Sequence, residues 1–173
     1  MIDLGSKILF LDRDGTLIYD RNYLKTSDQV NLIPGAVNFL HEIQDLDVTL
    51  HVVSNQSGVG RNLISHKEFE EVDTKFRDLF LSEGITFKTV KYCIHKPSDN
   101  CICRKPKVAL FKEELDSFSK TDKAAFLGNS EVDQLAAKEL SINYWSVPSL
   151  SSDDDYKTFF HKLKEEAKNY FNE

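Results

Sequence analysis

Lys7–Asp12 reads KILFLD and runs directly into Arg13-Asp14-Gly15-Thr16-Leu17. A short, strongly apolar run that ends abruptly in charge predicts a buried strand and then a turn. Four further runs read as strands: Val48–Ser54 (VTLHVVS), which is β-branched and ends in Asn-Gln-Ser-Gly, Lys88–Cys93 (KTVKYC), Ala124–Gly128 (AAFLG) and Ile142–Val147 (INYWSV). Helical spacing fills the gaps. Gly35–Leu46 carries Val37, Leu40, Ile43 and Leu46 on one stripe. The next helix opens on Ser65 with Glu68 three residues on, a capping box, and is expected to bury Phe69, Val72, Phe76, Leu79 and Phe80. Val108–Phe118 and Glu131–Leu140 follow, and a last helix covers about Asp154–Phe171. Strands alternating with helices predict an α/β fold: a three-layer, Rossmann-like sandwich around a parallel sheet. The connections have ordinary lengths, so no large cap is expected, and residues 1–173 read as one domain.

The bulk properties narrow the partners. The net charge is −6 with no basic stripe, and the runs Lys162–Lys168 and Arg104–Lys107 are short, so nucleic acid is not an expected partner. No stretch approaches the ~18 apolar residues of a membrane span. The opening MIDLGSKILFLD lacks a basic leader, which predicts a cytoplasmic chain, here taken as a monomer, with reduced cysteines. A small phosphorylated metabolite is compatible with this acidity, because local cations and amides can hold a phosphate.

In parallel sheets chemistry sits beyond the carboxyl ends of the strands, and the polar motifs fall there. Asp12 and Asp14 stand two apart as the first strand ends; Ser54-Asn55-Gln56 ends the second; Arg104-Lys105 and Asn129–Asp133 come later. A carboxylate attacks an anionic phosphate poorly unless a cation neutralises the repulsion, a task that suits Mg²⁺. Gly15 permits a tight turn whose amides could form a nest for phosphate oxygens. The alternative for a bare Asp-x-Asp-Gly is an ordinary strand-end turn.

DRDGTL resembles the first motif of haloacid dehalogenase-type phosphatases. The resemblance implies that Asp12 is a nucleophile forming an aspartyl-phosphate, with Asp14 as acid and base. It implies that Ser54 binds phosphate and that Lys105 steadies the nucleophile. LGNSEVD resembles the fourth motif, which implies Mg²⁺ ligands at Asp12, Asp14 and Asn129, with Asp133 as a further candidate.

YCIHKPSDNCICRKPK places all three cysteines within eleven residues. Cys93, His95, Cys101 and Cys103 supply four N/S ligands, the set of a closed, structural Zn²⁺ site in a loop spanning 93–104. Three cysteines cannot pair fully as disulfides. The zinc is expected to fix the loop that delivers Arg104 and Lys105 to the crevice. This segment resembles the zinc loop of D-glycero-D-manno-heptose 1,7-bisphosphate phosphatases and histidinol-phosphate phosphatases. Asp20-Arg21-Asn22-Tyr23 and SNQSGVGR (Ser54–Arg61) resemble the heptose group; EGITFKTVKYC and the short loop look equally like the histidinol group. The expectation is therefore a heptose bisphosphate 7-phosphatase, with histidinol-phosphate hydrolysis as the alternative. Substrate contacts are expected from Arg13, Asp20, Tyr23, Asn55, Gln56, Ser57 and Arg104, with Arg61 as a further candidate. His41, His51, His66 and His161 read as structural or solvated, and Trp145 as core.

One position departs from the pattern. Gly128-Asn129 stands where the family has Gly-Asp, so a neutral carbonyl replaces a carboxylate ligand. That predicts weaker Mg²⁺ binding, compensation by Asp133 or Glu131, or a non-catalytic binder of phosphorylated metabolites.

Overall fold

The computed structural model describes residues 6–116, 118–119 and 122–172. Met1–Gly5, on which the expectation of no leader partly rests, Ser117 within the expected fourth helix and the terminal Glu173 lie outside the described residues. Five parallel strands form one sheet: β1 (Lys7–Leu11), β2 (Thr49–Asn55), β3 (Thr89–Cys93), β4 (Lys123–Gly128) and β5 (Asn143–Ser146), in the order β3-β2-β1-β4-β5. The chain builds outward from β1 on one side and then crosses to the other. The resulting crevice opens at the carboxyl end of β1.

The two-residue period of the strands sorts the core into two layers. Leu9 and Leu11, Leu50 and Val52, and Ala125 and Leu127 face one side. There α1 (Ala36–Gln44), α3 (His66–Ser82) and α6 (Asp153–Asn172) cover them with Phe39, Leu40, Phe76, Phe80, Phe160 and Phe171. Phe39 meets Phe160 at a ring separation of 5.6 Å. Ile8 and Phe10, Val53, and Ala124 and Phe126 face the opposite layer, under α5 (Glu131–Leu140). Trp145 is core as expected, and its indole N–H donates to Glu166 at 2.8 Å. Ser65 caps α3 through the expected reciprocal bonds with Glu68. Of the five residues expected on its buried face, Val72, Phe76 and Phe80 are buried; Phe69 and Leu79 are half-buried.

Two elements differ from expectation. The helix expected over Val108–Phe118 is a single turn, α4 (Lys112–Leu115). Phe111 plugs the lower core instead, meeting Phe10 at 4.9 Å and Phe126 at 5.3 Å. Glu114 turns inward toward Lys91 (2.8 Å), and Thr89 donates to it at 3.1 Å. The apolar spacing there reports packing, not a continuous helix. An unforeseen short turn, α2 (Ser57–Gly60), follows β2. A Cβ on Gly60 would lie 2.5 Å from the Ile94 carbonyl oxygen, so glycine lets this turn rest against the cysteine-rich loop.

His51 lies between Thr89 (2.8 Å) and Thr49 (3.1 Å), and burial lowers its pKa, as befits a satisfied core histidine. Among the described residues no helix is long and apolar enough to cross a membrane.

The aromatic layer under α1 and α6 carries much of the stability. Phe39→Ala should lower the unfolding free energy by about 3–5 kcal/mol. Leu81→Ala, at an exposed position, should change it by less than about 0.5 kcal/mol. Chemical denaturation followed by circular dichroism measures both.

Candidate active site and metal-binding loop

Asp12 follows β1 immediately, its N–H donating to the Leu127 carbonyl at 2.9 Å, so the sheet itself holds it at the crevice. Lys105 reaches it from the far side of the cysteine-rich loop. The Lys105 Nζ lies 2.7 Å from Asp12 Oδ1 and 2.7 Å from Asp133 Oδ1, and donates to the Val53 carbonyl at 2.7 Å. It also sits 5.1 Å from the centre of the Phe126 ring. The ammonium is only 2% exposed and Asp12 7%. Burial opposes charge on Lys105, but the two carboxylates outweigh it and raise its pKa. Burial pushes the Asp12 carboxyl up to about 6; Lys105 pulls against that shift, and Asp133 adds to it.

Asp133 owes its place to α5. Its Oδ2 accepts from the Asn129 N–H (3.2 Å), the Ser130 N–H (3.1 Å) and the Ser130 hydroxyl (2.6 Å) at the helix N-terminus. Both its oxygens are therefore engaged within the protein. Asp133, expected as a possible metal ligand, is 1% exposed and pairs with Lys105 through Oδ1. The capping box Ser130-x-x-Asp133 was the sequence signal for this placement.

Asp14 is held by a fork. Arg13 Nε and Nη2 donate to its two oxygens at 3.0 Å each, and Gln56 Nε2 donates to Oδ2 at 2.6 Å. The same Gln56 nitrogen reaches Ser54 Oγ at 3.1 Å. Gln56 thus bridges Asp14 and Ser54. Arg13, expected at the substrate, is instead 1% exposed and directed into the protein. Asn55, also expected at the substrate, grips the Lys105 backbone. Its Oδ1 accepts from the Lys105 N–H (3.0 Å) and its Nδ2 donates to the Lys105 carbonyl (3.1 Å). Four amides in and after the turn expected to cradle phosphate are used internally. Gly15 N–H donates to Ile18 O, and Thr16, Leu17 and Ile18 donate to Arg13 O.

Asp20 is exposed and accepts from the Asn22 N–H at 2.8 Å. Tyr23 packs against Gly58, where an added Cβ would meet its ring at 2.8 Å. Ser57 starts α2, and the buried Nη1 of Arg104 has no hydrogen-bond partner. Asn129 faces the Asp14 turn across Gly15: a Cβ there would lie 2.0 Å from Asn129 Nδ2. Gly15 has a φ of 76°, which suits glycine in any case.

Three carboxylates, Asp12, Asp14 and Asp133, thus face two fixed cations, Arg13 and Lys105. That leaves one negative charge in excess, and oxygen-rich side chains of this kind suit one further hard cation.

The ligand atoms of Cys93, His95, Cys101 and Cys103 all lie within 4.8 Å of one another. The Cys93 sulfur is 3.6 Å from that of Cys101 and 3.3 Å from that of Cys103; His95 Nδ1 is 3.2 Å from the Cys103 sulfur. These separations exceed the ~2.05 Å of a disulfide. They approach the ~3.8 Å edge of a tetrahedron with metal–sulfur bonds of ~2.3 Å. The group can hold a metal, and the loop it would close ends at Arg104 and Lys105.

The family model described as polynucleotide kinase 3 phosphatase matches residues 7–141. D-glycero-beta-D-manno-heptose-1,7-bisphosphate 7-phosphatase of Haemophilus ducreyi is 32% identical over 144 residues, covering 79% of each chain. The histidine biosynthesis bifunctional protein HisB of Legionella pneumophila is 35% identical over 144 residues, covering 82% of this chain but 41% of that longer protein. A crystal structure of D,D-heptose 1,7-bisphosphate phosphatase from B. bronchiseptica, complexed with magnesium and phosphate, superposes with a TM-score of 0.76 at 22% identity, over 92% of this chain and 99% of that one. The chain belongs to the polynucleotide kinase 3 phosphatase family, among the haloacid dehalogenase-type phosphatases.

Proposed function

We propose that the chain hydrolyses a phosphomonoester of a small sugar, D-glycero-D-manno-heptose 1,7-bisphosphate at its 7-phosphate, through an aspartyl-phosphate on Asp12. The observation that carries this reading is the buried Asp12 carboxylate with one oxygen on Lys105, at the tip of the central strand. Its Oδ1 is fixed by the ammonium, and its other oxygen attacks phosphorus in line. The P–O bond to the sugar breaks, and Asp14 supplies the proton that the leaving alkoxide takes up. Asp14 then takes a proton from water, which cleaves the acyl phosphate and frees Asp12. Ser54 and Lys105 hold the phosphoryl oxygens. Arg104, with one buried guanidinium nitrogen unpaired, offers its fork to an oxygen-rich part of the substrate, with Asp20, Tyr23 and Ser57 at the rim. Asp12, Asn129 and the main-chain carbonyl of Asp14, whose carboxylate oxygens are taken by Arg13 and Gln56, would hold Mg²⁺, which would supply the positive charge that offsets repulsion between carboxylate and phosphate.

The relative from Haemophilus, covered over most of its length, supports the heptose substrate. Histidinol phosphate is the second reading, favoured by the identity to the HisB protein. Turnover of both compounds should settle the choice. The heptose bisphosphate should be preferred by at least about tenfold in kcat/KM, ~1.4 kcal/mol in transition-state binding. Asp12→Asn should lose about 10³-fold or more with either. A preference for histidinol phosphate would reverse the substrate assignment, and full activity in Asp12→Asn would end the mechanism.

Asn129 brings a carbonyl where a carboxylate would add charge. Asn129→Asp should tighten Mg²⁺ binding by about tenfold, read as the Mg²⁺ concentration that gives half the maximal rise in melting temperature. An unchanged midpoint would place Asn129 outside the metal site.

We assign zinc to the Cys93–His95–Cys101–Cys103 group, as a structural ion with no open position. Mass spectrometry under native conditions should find one zinc per chain. Cys101→Ser should lose it and melt several degrees lower. A metal-free wild-type chain of equal stability would refute the assignment.

A further inference from the structure

The Arg13 guanidinium does not reach the crevice. It turns back, forks onto Asp14 with two contacts of 3.0 Å, and lies over the ring of Tyr92, 5.3 Å from its centre. Tyr92 is in turn fixed on two sides. Its hydroxyl donates to Asp73 Oδ1 at 2.5 Å, and its ring packs edge-on against Phe69 at 5.0 Å. Asp73 and Phe69 both belong to α3, and Arg77 one turn later donates to Asp73 Oδ2 at 2.8 Å. A continuous set of contacts therefore runs from the outer helix through Tyr92 and Arg13 to the carboxylate of Asp14.

This arrangement has a cost. Placing a guanidinium at 1% exposure forfeits its hydration, and its Nη1 has no hydrogen-bond partner. What the fork supplies in return is a fixed plane. Two parallel N–H bonds define a carboxylate's orientation in a way that a point charge cannot. Proton transfer depends on that orientation, because the donor oxygen must lie within hydrogen-bond reach of the leaving oxygen.

We propose that Arg13 is a positioning residue for Asp14, itself aimed by the Tyr92 ring and α3, so that proton delivery to an aliphatic leaving group depends on a residue that never touches substrate. The proposal rests on the reading of Asp14 as the proton donor given above.

Two substrates separate this role from general support. An aliphatic phosphate needs a proton on its alkoxide as it departs; p-nitrophenyl phosphate releases a stable phenolate and does not. kcat/KM reports the step in which the leaving group departs. Arg13→Lys keeps the charge but not the fork. It should lower the ratio of aliphatic to aryl kcat/KM by about tenfold, a fraction of the ~10²–10⁴ that general acid catalysis contributes. Tyr92→Leu removes the ring platform and leaves Arg13 in place. It should lower the same ratio by about threefold, and it serves if Arg13→Lys does not fold. A ratio within about twofold of wild type in a folded variant, with both substrates slowed equally, would reduce Arg13 to a structural residue and overturn the inference. Absence of phosphate release from either substrate by the wild-type chain would instead remove the phosphatase reading, and this inference with it.

Discussion

One buried ammonium organises the crevice. Lys105 Nζ is held between Asp12, Asp133 and the Val53 carbonyl, each at 2.7 Å. These three come from the ends of β1, α5 and β2, and Lys105 itself comes from the loop that leaves β3. Four separate stretches of chain therefore meet at one charge. In a buried network of this kind, loss of one member leaves the others uncompensated, typically at about 3–5 kcal/mol. The same charge that ties the strand ends together also holds Asp12 ready beside a raised carboxyl pKa of about 6.

Lys105 needs a frame to point inward, and two devices provide it. Asn55 clamps its backbone at both the N–H and the carbonyl. The Cys93–Cys103 loop, gathered around its sulfur and imidazole ligands, fixes the chain just before it. Gly60 lets α2 lie against that loop, and the Gln56 N–H donates to the Cys93 carbonyl at 2.7 Å. The metal-binding group is thus mechanically close to the chemistry without supplying a ligand to it.

Much of this was legible in the sequence, for a definite reason. Strands were marked by short apolar or β-branched runs, and the bounds of β1 to β5 fall within one residue of them. Glu131–Leu140 matches α5 at both ends because Ser130 caps one end and Ser141 closes the other in a left-handed conformation. The Val108–Phe118 helix did not form, because apolar periodicity cannot distinguish a helix from a loop whose hydrophobic residues plug a core. The site residues were identified by type and position along the chain, but their directions were not. Arg13 and Asn55 lie between or beside catalytic candidates and point into the protein; nothing in a linear pattern separates an inward guanidinium from an outward one. Asp133 shows the reverse case, where the Ser130-x-x-Asp133 capping-box spacing carries its placement at the start of α5.

Covalent trapping distinguishes Asp12 from every other nucleophile in the crevice. Brief exposure to substrate and Mg²⁺, followed by borohydride, reduces an aspartyl-phosphate to homoserine, and peptide mass spectrometry locates the change. Modification is expected at Asp12 alone. Modification at Asp14 or elsewhere, or none during turnover by an active chain, would remove Asp12 as the nucleophile.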